Sequence, residues 1–167
     1  MDIQQELARE HSKAHTLYIA DRINNDTDQF AVLMSFYLGE DKLLAQRAAW
    51  VFTHCVESYP HLALPYIDPL IDILDLPVHD ALKRNALRSF EFVKIPEPFH
   101  GRLIDVCFRI VMDRKEAAAN RAFSITILDQ LTQHYPDLRH ELIEVLEMEF
   151  DQSTAAFKSR ARKVLGK

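Results

Sequence analysis

Eight histidines and two cysteines are the side chains of this 167-residue chain best suited to holding a metal or attacking a substrate, so their spacing is the first test of catalysis. His11 and His15 stand four apart, a spacing that puts two imidazoles on one helix face as zinc sites require. No HExxH accompanies them, so the pair reads as an exposed feature near the start of the chain. His54 and Cys55 look like a base and a nucleophile, but neighbours on a helix point about 100° apart and cannot share a hydrogen bond easily. The remaining histidines, at 61, 79, 100, 134 and 140, fall with His54 around expected helix ends, where capping accounts for them. Asp68, Asp72 and Asp75 form an acidic face without the oxygen-rich loop and turning glycine of a calcium site. GxSxG, GxGxxG and phosphate-cradling loops are absent, and three glycines could not build the last two together. These residues predict no catalytic group, no metal and no cofactor.

Arginine is patterned differently. Arg47, Arg84, Arg121 and Arg160 recur at intervals of 37, 37 and 39 residues, each beside small residues: Ala48 and Ala49, Ala86, Ala122, and Ala161. A fixed period of this length marks a repeat of helix pairs, none of which can bury its apolar face alone. Glycine at three of 167 residues is well below the usual ~7%, and most of the seven prolines fall near expected helix boundaries. The chain is therefore read as all-α, with about nine helices and no strands, in one domain spanning 1–167.

Taken in order, residues 2–24 read as one capping helix, and Asp26 or Thr27 caps an almost wholly apolar, deeply buried helix that ends at Gly39. Asp41 caps the helix carrying Arg47 and Trp50, which Pro60 stops. A helix over about 64–76 contains Pro65 and Pro69, which kink it or shift its start. Helices over about 79–93, 98–112 and 114–133 follow, then one opened by Pro136 and a last one capped by Ser153 or Thr154.

Each unit resembles a HEAT repeat, in which a first helix and a short turn lead to a second helix bearing an arginine near small residues. The matching units are about 27–59, 62–95, 98–134 and 136–166, preceded by an unpaired second-type helix. The family's apolar residue before the arginine is replaced by Gln46, Lys83, Asn120 and Ser159. The resemblance implies an α-α superhelix whose second helices line the concave face. It also implies that the arginines bond acidic and backbone groups of neighbouring units, so that truncating Arg84 or Arg121 destabilises the fold.

Charge is divided between the two kinds of helix. First helices with their turns (27–40, 61–78, 96–113, 136–151) carry −11, and second helices (41–59, 79–95, 114–135, 152–167) carry +8, of which the last segment holds +5. The first 26 residues carry −2, which accounts for the net charge of −5. With the resemblance, this implies a basic groove that attracts an acidic partner.

The functional expectation is a non-enzymatic helical-repeat scaffold binding a protein or peptide of acidic character, with Arg47, Arg84, Arg88, Arg121 and Arg160 as candidate partner-binding residues. The alternative is a nucleic-acid-binding solenoid related to the HEAT-like alkylpurine DNA glycosylases, against which a net charge of −5 weighs. Cys55 and Cys107, unpaired in spacing, point to a reducing cytoplasm, and no membrane span or signal segment is visible. A monomer is the expected state.

Overall fold

The computed structural model describes residues 1–167 and contains ten α-helices without strands. They form two compact units, Met1–Ile95 and Pro96–Lys167. The first unit holds α1 (Ile3–Arg9), α2 (Lys13–Ile23), α3 (Thr27–Tyr37), α4 (Lys42–Ser58), α5 (Ile67–Asp75) and α6 (Asp80–Phe90). The second holds α7 (His100–Met112), α8 (Ala118–Thr132), α9 (Pro136–Glu149) and α10 (Ala155–Leu165).

The expected single helix over residues 2–24 is two helices. Its break comes at Glu10–Ser12, where Ser12 takes an extended conformation and its hydroxyl accepts the His15 N–H. The chain thus starts with a short helix pair: α1 packs beside α3, and α2 beside α4. His11 lies before the cap of α2, so His11 and His15 do not share a helix face as their spacing predicted.

Two further expectations change for local reasons. Helix α5 begins at Ile67 after a 3₁₀ stretch, Pro60–Tyr66, which takes in Pro65. Pro69 is then the third residue of α5, where a helix has no backbone acceptor for an N–H, so the helix runs on past it. Helix α3 is one-sided: Phe30, Leu33, Met34 and Tyr37 are buried, while Val32, and Leu38 just past its end, remain about 40% exposed. Asp26, Asp41 and Thr154 cap α3, α4 and α10 through their side chains.

In the first unit the core gathers on Phe52 of α4, with Tyr37 5.0 Å and Phe30 6.0 Å away between ring centres. Tyr37 donates its buried hydroxyl to the Leu82 carbonyl at 2.7 Å, tying α3 to the start of α6. Ala45, Ala48 and Ala49 are buried on α4, which packs against α2, α3 and α6. That explains the small residues beside Arg47: a helix packed on several sides by other helices needs short side chains to let them approach. In the second unit Ala122 of α8 and Ala161 of α10 are buried likewise, among Leu103, Cys107, Leu128, Leu142, Leu146 and Phe157.

Candidate partner-binding surface

All four ladder arginines stand on second helices, α4, α6, α8 and α10, yet their environments differ. Arg47 donates through Nη1 to the Leu7 and Ala8 carbonyls at 2.7 and 2.9 Å. Those carbonyls belong to the last turn of α1, where a cation also meets the negative end of the helix dipole. Arg121 does the same for α7: its Nε and Nη2 donate to the Val111 carbonyl at 2.9 and 2.7 Å. Its Nη2 also reaches Glu149 Oε2 at 3.1 Å, and its guanidinium lies 4.6 Å from the Phe157 ring centre.

Arg160 donates to the Thr126 hydroxyl and lies over Phe123. Arg88 joins Glu57 at 3.0 Å and Glu91 at 2.9 Å and lies 5.0 Å from the ring centre of Phe92. Arg84 is the outlier. Its side chain is 48% exposed, and it stands 3.7 Å from Asp80, one turn earlier on the same helix. Of the five candidate arginines, Arg121 is buried and bonded on both sides, Arg47, Arg88 and Arg160 are half-buried with internal partners, and Arg84 faces solvent.

Arg114 completes the environment of Glu149, donating to it bidentately, Nε to Oε2 and Nη2 to Oε1, both at 3.0 Å. The Arg114 hydrogen bonds, and after them Arg121, hold the Glu149 carboxyl below its ordinary range against the opposing effect of burial. Glu149 in turn raises Arg114.

The second-helix layer of the first unit is indented by two clefts. One, of about 650 Å³ between α2 and α4, is lined by Leu17, Tyr18, Asp21, His54, Glu57 and Tyr59. Leu17 and Tyr18 are large apolar groups left more than 40% exposed. The other, of about 380 Å³, lies where α4 meets the start of α6. Trp50 lines it with an edge-to-face contact to His11 at 5.2 Å, so this ring stands half-exposed in a surface cleft.

In the second unit the distinctive surface is on α10 and the two residues that follow it. Lys158, Arg162 and Lys167 all stand around one half-exposed ring, Phe150, at 5.6, 5.4 and 5.8 Å from its centre. Neither these three nor Lys163 forms an ion pair, and residues 152–167 contain no aspartate or glutamate. The sequence reveals the excess of charge there. It does not reveal Phe150 as its centre, because the ring comes from the turn after α9.

Nucleophiles and metal ligands find no such assembly. Cys55 and Cys107 are free and buried, and burial pushes both thiols up to about 12, which leaves them protonated at neutral pH. No group of three or more His, Cys, Asp and Glu side chains converges as a metal site would require. His79 caps α6 through Nδ1, whereas His54 and His140 sit within helices rather than at their ends. No helix is long and apolar enough to cross a membrane.

Comparison with curated proteins and with solved structures returns no match. A family model described as the HEAT repeat domain matches residues 3–167, nearly the whole chain, in accord with the paired helices and the arginine of each second helix. The chain belongs to the HEAT repeat family.

Proposed function

We propose that the protein is a non-enzymatic scaffold that binds an acidic segment of a protein partner on its second helices. The observation that carries this reading is the set of unpaired cations on α10 in a chain of net charge −5. Three cations around one ring repel each other, and cation–π contacts at exposed sites contribute only about 0.5–1 kcal/mol each. An acidic segment laid over α10 relieves that repulsion and gains charge-assisted hydrogen bonds. The ladder arginines, apart from Arg84, contribute chiefly by holding the helices that present this surface. The same proposal puts the scaffold in the cytoplasm, on the strength of its two free, buried thiols.

The test is fluorescence anisotropy of a labelled oligoglutamate peptide and of a labelled duplex DNA, each titrated with the full chain at about 50 and 150 mM salt. The proposal predicts oligoglutamate binding that weakens with salt, and negligible retention of DNA at the higher salt. Submicromolar DNA binding at that salt, or no oligoglutamate binding at the lower one, would refute it.

A further inference from the structure

The smaller cleft of the first unit has a one-sided chemistry. Gln46 and Trp50 of α4 line it together with His79, Arg84 and Asn85 at the start of α6 and His11 ahead of α2. Not one of its lining residues is a carboxylate. His79 Nδ1 accepts the Ala81 N–H at 3.1 Å, which puts the proton of the neutral ring on Nε2, a donor. Asn85 is already committed, donating to the Ala81 carbonyl and accepting from the Thr53 hydroxyl, both at 2.8 Å. Arg84 therefore supplies the strongest donors, in a fork that matches a carboxylate. Its one ion-pair partner, Asp80, is 44% exposed at 3.7 Å, where solvent already weakens the attraction. Trp50 adds a flat apolar wall.

We infer that this cleft takes the side-chain carboxylate of a glutamate flanked by apolar residues in an acidic protein partner, with Arg84 holding the carboxylate and Trp50 packing against the flanking side chain. This rests on the reading of the chain as an acidic-segment binder and adds a specific anchor to it. The apolar wall matters because it displaces water from beside the ion pair, and a charge-assisted bond gains strength in such surroundings. A bare run of acidic residues satisfies Arg84 but leaves Trp50 uncovered. A neutral apolar segment covers Trp50 but leaves the guanidinium without its anion.

The chain has one tryptophan, so its indole N–H gives one nitrogen-15 correlation signal that reports on this cleft alone. The full chain is titrated with the capped peptides acetyl-Leu-Glu-Leu-amide and acetyl-Leu-Gln-Leu-amide. The glutamate peptide should move the indole signal saturably and bind about tenfold more tightly than its glutamine counterpart. Arg84→Gln should erase that preference, Arg84→Lys should restore part of it, and Asp80→Asn, by removing the competing carboxylate, should strengthen it. Neutralising the α10 cations should leave this titration unchanged, which separates the anchor from the wider proposal. An indole signal that does not move, equal affinity for the two peptides, or a preference that survives Arg84→Gln would overturn the inference.

Discussion

Arg121 of α8 and Glu149 of α9 meet at 3.1 Å with side chains only 7% and 6% exposed, so the ladder's one buried arginine is matched to a buried carboxylate 28 residues away. The pair joins the last turn of α9 to α8, and the same guanidinium holds the last turn of α7 through Val111. Removing Arg121 leaves the Val111 carbonyl without its donor and Glu149 with Arg114 alone. Arg121→Ala is therefore expected to cost about 1–3 kcal/mol, the range for leaving a buried acceptor unpaired. Arg84→Ala, which removes a half-exposed contact within one helix, should cost about 0.5 kcal/mol or less. Urea denaturation of the two variants measures the difference, and equal losses would contradict the assignment of roles.

Glu149 also predicts an acid transition. Its folded carboxyl is held below its ordinary range, so its stabilisation is complete above the unfolded value of about 4.3 and is lost as pH falls through the lowered folded value. The parent should therefore lose thermal stability below about pH 4 more steeply than Glu149→Gln, which is less stable at neutral pH but has no such proton to take up. Parallel curves of midpoint against pH for the two proteins would count against the pair.

Arg47 ties down a weaker element. Helix α1 has seven residues, too short to persist by itself, and Arg47 binds two of its terminal carbonyls. Arg47→Ala should speed amide exchange across residues 3–9 while leaving α8 protected. Unchanged exchange in α1 would show that Ile3 and Leu7, both buried, suffice to hold it.

The thiols give a fourth expectation. With Cys55 and Cys107 pushed up to about 12 by burial, a disulfide reagent at about pH 8 should modify neither in the folded protein and both after denaturation. Rapid labelling of the native chain would mean that α4 or α7 opens readily.

How far these relationships were legible in the sequence differs from residue to residue. The repeat was plain because Arg47, Arg84, Arg121 and Arg160 keep one register, and one helix pair per period is what such spacing encodes. The break before α2 was hidden because Glu10, His11 and Ser12 include neither glycine nor proline, and a serine cap does not stand out in a polar stretch. The fates of the arginines could not be read either. Arg84 and Arg121 are the same residue at the same register, and what separates them is what lies opposite. Glu149 was one of four glutamates on α9, and only the packing of α9 on α8 brings it to Arg121.

The central claim, that unpaired cations of α10 bind an acidic partner, is tested most directly by replacing Lys158, Arg162, Lys163 and Lys167 together with glutamine. These side chains are at least partly exposed and form no ion pairs, so the variant should keep the parent's helix content and melting behaviour. Oligoglutamate binding at about 50 mM salt is then compared by anisotropy, where each screened contact contributes about 0.2–1 kcal/mol. The account predicts at least a fourfold loss of affinity, since losing four such contacts removes about 0.8–4 kcal/mol. A folded variant that binds oligoglutamate as tightly as the parent would contradict it.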